Sequence, residues 1–217
     1  MRDVPSCPHV SAVRQDDGTH RPGTGFAPNQ IDKVAGKKAI REIKADTVIF
    51  PEDIDCVIMS HLHTDHASDL KQFAKAKKIL VSTPELEDTK NFPIRYVKSM
   101  WDGVNFEIFD FEKSGVGTVG ESFDLLGDKT IELIKIPGHT SGLTAVKINS
   151  GEKFVLLFSD GGYAKKSWQE MILLGTALDE KLAEKSLQWI RETSLNKNCV
   201  ESLANHDAEV APHEIIL

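Results

Sequence analysis

Cysteine is scarce in this chain of 217 residues: there are three, Cys7, Cys56 and Cys199, far apart and with no C-x-x-C pair. An odd and scattered set argues against a disulfide framework and fits reduced thiols in a cytosol. Cys56 and Cys199 sit inside apolar, strand-like runs and read as small buried hydrophobes rather than reactive groups. Long hydrophobic runs are also missing, since none approaches the roughly 18 residues a membrane span requires. The N-terminal Met-Arg-Asp-Val-Pro-Ser-Cys-Pro lacks the charged-then-apolar layout of a secretory signal. Positive charge is in deficit: 26 Lys and Arg against 33 Asp and Glu leave a net charge of −7. Such a chain has no general attraction to phosphate backbones or anionic lipid. These absences predict a cytoplasmic protein that engages neither nucleic acid nor membrane. No internal repeat, low-complexity tract or interdomain linker stands out.

What is present is ordinary globular material, 40% hydrophobic and 27% charged, enough for one domain with its own core. Residues 1–29 carry Pro5, Pro8, Pro22 and Pro28 without sustained periodicity and read as an irregular N-terminal segment, with the domain proper over 30–217. Helical spacing recurs over 30–44, and a proline-led turn over 51–54 precedes the buried strand 56–60. A helix is expected over 68–77, capped by Ser68 or Asp69, then a strand at 78–83 ended by Pro84. Alternation predicts a strand over 104–111, and apolar runs predict further strands at 130–136, 144–149, 153–159 and 199–204. Between the last two, Asp179 caps a helix whose buried stripe is Leu182, Ala183, Ser186, Leu187 and Ile190. The order fits a layered α/β arrangement.

Histidine carries the chemistry. Of eight, three fall in His61-Leu62-His63-Thr64-Asp65-His66, directly after the buried strand 56–60. On an extended segment His61 and His63 point the same way, while Asp65 and His66 come where the chain turns into a helix. Imidazoles and a carboxylate so disposed suit borderline divalent metals such as zinc. By the chain's own residue frequencies, H-x-H-x-D-H arises by chance in roughly one such sequence per thousand. Three more candidates stand at the ends of apolar runs: His139 in Pro137-Gly138-His139-Thr140, Asp160 before Gly161-Gly162, and His206. Strand ends are where α/β proteins place their sites.

From about residue 53 onward, these motifs in this order resemble the metallo-β-lactamase superfamily: H-x-H-x-D-H, P-G-H-T, the Ser159-Asp160 strand end, and Asn205-His206-Asp207. The resemblance implies a four-layered αββα sandwich with an abbreviated N-terminal part and a dinuclear site along the sheet edges. It implies two divalent ions, zinc foremost, with His61, His63 and His139 on one, Asp65, His66 and His206 on the other, and Asp160 between them. Two such cations outweigh two carboxylates and a bridging hydroxide, so the pocket stays positive. Hydroxide becomes available at neutral pH and a carbonyl is polarised. The implied reaction is hydrolysis of an ester, amide, thioester or phosphoester without a redox cofactor, with Asp65 able to pass a proton to the leaving group.

Tyr163, three residues after Asp160, resembles the N-acyl-homoserine lactonase branch, where a tyrosine at that offset donates to the carbonyl of the ring ester. A small lactone is therefore the expected partner, with a homodimer as a further one. Tyr96 to Trp101 and Trp168 are candidates to wall an acyl pocket, with ordinary core packing the leading reading for each alone. Two alternatives stay open, a glyoxalase II-type thioesterase and a truncated metal-binding member without turnover. The family's usual Asp-Thr-Gly turn is absent; Pro22-Gly23-Thr24-Gly25 has glycine in place of the aspartate.

Overall fold

Continuous apolar runs and proline-led turns become nine strands and four α-helices in a computed structural model that describes residues 51–211, 213 and 215–217. Cys7, the irregular segment 1–29, the Pro22 to Gly25 turn and the helix expected over 30–44 lie outside the described residues. The chain packs as two units. One takes the described residues up to Val81 together with Ile94–Ile108, and the other takes Ser82–Pro93 with Phe109–Leu217.

In the first unit, Pro51–Asp53 forms the expected proline-led turn. The run after it gives β1 (Cys56–Ile58), which pairs in parallel with β2 (Lys78–Ser82), and β3 (Glu107–Phe109) lies beside β2. The helix expected over 68–77 is different. A short α1 (Thr64–Ala67) begins four residues earlier, and a separate 3-10 turn follows at Leu70–Phe73. α1 is capped by the extended His63, whose carbonyl accepts from the amides of His66 at 3.0 Å and Ala67 at 2.9 Å, while Asp69 stands at the start of the 3-10 turn, its carbonyl accepting from the Gln72 amide at 2.9 Å. Asp65 and His66 are therefore held inside a helical turn. Tyr96, Met100 and Trp101 are buried, with the Tyr96 and Trp101 rings meeting edge to face at 6.5 Å.

The second unit is built on a six-stranded sheet in sequence order: β4 (Glu112–Lys113), β5 (Glu121–Asp124), β6 (Ile131–Lys135), β7 (Thr144–Ser150), β8 (Lys153–Leu157) and β9 (Cys199–Leu203). Neighbours are antiparallel up to β8, while β8 and β9 are parallel. A parallel pair needs a long crossover, and here α3 (Lys165–Glu170) and α4 (Glu180–Ser194) supply it. As expected, the Asp179 side chain caps α4, accepting from the Leu182 amide at 3.0 Å. Ala183, Ser186, Leu187 and Ile190 of α4 are buried. Ile134, Ile136, Leu156, Phe158 and Trp168 form one core with Leu187 and Ile190. Trp168 thus serves packing.

The sequence did not announce α2 (Thr83–Asn91), because Pro84 read as a strand terminator whereas it occupies the first turn of this helix. Cys56 is buried and Cys199 half-buried; burial pushes the Cys199 thiol up from its ordinary value. No helix among the described residues is long and apolar enough to cross a membrane. What positions the site is direction: β6, β8 and β9 all run the same way, so the segments that follow them leave one end of the sheet.

Candidate metal centre

The first group of site residues is delivered by β1. The Met59 amide donates to the Leu80 carbonyl at 2.9 Å, which carries the parallel ladder one residue past the strand and fixes where His61 begins. His61 and Leu62 are fully buried, His63 is half-buried, and their alternation places the two histidine rings edge to face at 4.7 Å. The turn of α1 then brings the His66 ring to 4.0 Å from that of His61. Asp65 is half exposed, with its carboxylate 3.6 Å from His66 Nε2. Ser60 Oγ lies 3.2 Å from His61 Nδ1, an arrangement that would leave Nε2 to meet a metal. The His63 ring lies 5.2 Å from that of Tyr96.

The second group comes from three segments at one end of the six-stranded sheet. His139 follows β6, Asp160 follows β8 and His206 follows β9. Asp160 is buried, and its two oxygens face different histidines: Oδ2 lies 3.4 Å from His139 Nε2 and Oδ1 lies 3.2 Å from His206 Nε2. Ser159, just before it, adopts a left-handed φ of 45°, an uncommon conformation for a side chain-bearing residue. Asn205 Nδ2 donates to Ser159 Oγ at 3.2 Å, tying the Asp160 and His206 segments together. Asp207 accepts from the Lys165 amide at 2.8 Å, which ties the His206 segment to the start of α3. The Tyr163 ring stands edge-on to His206 at 5.4 Å, and its hydroxyl lies 3.2 Å from Thr176 Oγ1.

The seven candidate ligands and Tyr163 all fall in one of these two groups, four in the first unit and four in the second. The donor set is suited to divalent metal. It consists of imidazole nitrogens and carboxylate oxygens, mostly buried, with the ligand atoms of His61 and His63, and those of Asp160 and His206, each within 4.8 Å of one another. Missed by sequence reasoning were the contacts that brace the candidate ligands, made by Ser60, Ser159, Asn205 and Asp207. Asn205 and Asp207 flank His206 and were legible as a motif. Their roles depend on Ser159 and Lys165, about 40 residues away in sequence, and no local pattern reports that.

The model of the metallo-beta-lactamase superfamily matches residues 24–191, so the chain belongs to that superfamily. Its fold is accordingly the α/β fold of that family, as the order of motifs implied. Among relatives, the chain is 26% identical over 166 residues to N-acyl homoserine lactonase AttM of Rhizobium radiobacter, covering 73% of this chain and 60% of that protein. It is 33% identical over 150 residues to a probable metallo-hydrolase of Methanocaldococcus jannaschii, covering 69% and 57%. It also resembles a solved N-acyl homoserine lactone hydrolase that has the product N-hexanoyl-L-homoserine bound at its catalytic metal centre. That match has a TM-score of 0.58 and 25% identity, over 73% of this chain and 58% of that one. The chain spans three-fifths or less of the length of these proteins.

Proposed function

We propose that this chain is a metal-dependent hydrolase that opens a small ester ring, an N-acyl-homoserine lactone or a close analogue. One observation carries the reading: a buried carboxylate, Asp160, with each oxygen turned toward a different histidine. A buried anion is costly unless opposite charge compensates it, and a carboxylate so placed is suited to lie between two cations. On this reading His61, His63 and His139 hold one zinc ion, Asp65, His66 and His206 hold a second, and Asp160 serves both. When bound, such a pair supplies a strong nucleophile from water at neutral pH and polarises the ester carbonyl.

The chain's own groups do the rest. Opening the ring adds one water across the acyl C–O bond: the carbonyl carbon gains an oxygen, the bond to the ring oxygen breaks, and the ring oxygen takes a proton. Asp65, half exposed beside His66, holds that proton at its carboxylate and delivers it to the leaving oxygen. Tyr163 Oη donates a hydrogen bond to the carbonyl oxygen as negative charge grows there, exchanging its Thr176 contact for the substrate.

The test is metal analysis of the purified chain, coupled to lactone hydrolysis followed by acid release. About two metals per chain and turnover lost in His63→Ala and Asp160→Ala are expected. A chain that holds its metal yet is inert on lactones, thioesters and other esters would overturn the reading.

A further inference from the structure

We infer that Glu85 and Asp88, two acidic residues of α2 outside the ligand set, are positioning residues for His139, an inference that rests on the metal-centre reading above. Both are buried, Glu85 completely and Asp88 to within 3%. They lie three residues apart on one face of α2, and each accepts a hydrogen bond from the residues directly after His139. Thr140 Oγ1 donates to Glu85 Oε2 at 2.6 Å, and the Ser141 amide donates to Asp88 Oδ2 at 2.6 Å. The loop is held on its other side too. The Gly138 carbonyl accepts from the amides of Leu178 at 2.7 Å and Asp179 at 3.0 Å, and Ser186 Oγ donates to the Pro137 carbonyl at 2.6 Å. His139 is thus suspended between two anchored neighbours.

Packing alone does not account for this. Burying a carboxylate is costly even when it is hydrogen-bonded, and apolar side chains of similar volume serve a packing role as well or better. An acid in the first turn of a helix is favoured by the helix dipole, but that preference is satisfied at the surface. Nor does general loop anchoring require it, because the Gly142 carbonyl already accepts from Ser82 Oγ at 3.1 Å and Thr144 Oγ1 at 2.9 Å. What the pair of acids adds is fixed placement of residues 140 and 141, and so of the imidazole just before them. Partners that orient a ligand in this way govern metal affinity by roughly ten- to a hundredfold.

The test compares Thr140→Val, which removes the donated hydrogen at nearly constant volume, with Thr140→Ser, which keeps it. Two readouts are taken: zinc affinity by competition with a chelator, and amide hydrogen exchange across 138–142 in the metal-stripped chain. Glu85→Gln, which retains an acceptor, stays close to wild type in both. Val155→Ala, buried in β8 away from the loop, controls for lost stability. Expected for Thr140→Val are a tenfold or greater loss of zinc affinity and faster exchange confined to the loop, with Thr140→Ser restoring both to within about threefold. Unchanged exchange overturns the inference. So does faster exchange with unchanged zinc affinity, or an equal zinc loss in Val155→Ala. A wild-type chain that takes up no zinc would instead sink the hydrolase reading, and exchange alone would then decide whether the clamp exists.

Discussion

Gly142 sits so close to Glu85 that a Cβ on the glycine would lie 2.3 Å from the Glu85 backbone nitrogen and 2.6 Å from its Cα. Backbone cannot yield as a flexible side chain does, so Gly142→Ala must force the loop after His139 away from α2. A loss of about 1–3 kcal/mol is expected, the usual cost of overpacking a tight site, read from the urea midpoint. Gly127→Ala is the contrast. Its φ is +77° but its Cβ would meet nothing within 4 Å, so only the left-handed penalty of about 1–2 kcal/mol remains. Only the Gly142 variant is expected to lose zinc affinity as well.

Tyr163→Phe removes the hydroxyl and leaves the ring against His206. On lactones kcat is expected to fall tenfold or more, within the range for a lost donor to a developing oxyanion, while metal content stays unchanged. A rate equal to wild type would take Tyr163 out of the mechanism. Thr176→Val probes the partner: it removes a resting contact, so it should leave kcat within about threefold.

The end of the chain carries a pH-dependent contact. His213 places Nε2 2.9 Å from Glu201 Oε2 and Nδ1 2.8 Å from the Ala211 carbonyl, so both ring nitrogens have acceptors suited to the protonated form. The Glu201 bond first, and the Ala211 bond second, hold its pKa above the ordinary 6.5. A raised folded pKa means that the stabilisation is complete below the unfolded value and is lost as pH rises through the folded one. The difference in unfolding midpoint between wild type and His213→Ala should therefore be larger at pH 6 than at pH 8.5. An equal difference at both would show the bond to Glu201 to be energetically silent.

Asp179→Ala tests the start of α4. Losing the bond from the Leu182 amide should cost about 0.5–2 kcal/mol, as for other N-caps. Asp179→Asn, which keeps an acceptor for the Leu182 amide, is expected to restore most of the loss, and the backbone amides of Leu178 and Asp179 hold the Gly138 carbonyl in all three chains. Thermal unfolding of the three chains decides it.

Strands β1, β2 and β6 to β9 and the candidate ligands were legible for the same reason, since an apolar run buried in a sheet ends where polar chemistry begins, as at Ile58, Leu157 and Leu203, whereas the short β4 and β5 carry no such run. The α4 stripe was legible from its 3.6-residue period and its aspartate cap. By contrast, α2 had no apolar stripe to find, because the residues it buries are Glu85 and Asp88, which in isolation read as a solvated face. The early start of α1 was equally hidden, since its cap is a histidine and uses only a backbone carbonyl. Residue-to-residue ties such as Asn205 to Ser159 depend on which segments the sheet brings side by side, and neither segment encodes the other.

The alternation of strand direction divides the six-stranded sheet into a working rim and an idle one. Connections 125–130 and 151–152 turn back at the rim opposite His139, Asp160 and His206. Insertions or a fused label there are expected to leave the candidate ligands in place, whereas a one-residue insertion between Leu203 and His206 would swing an imidazole away from Asp160. Evolutionary freedom and experimental access therefore fall on the same edge.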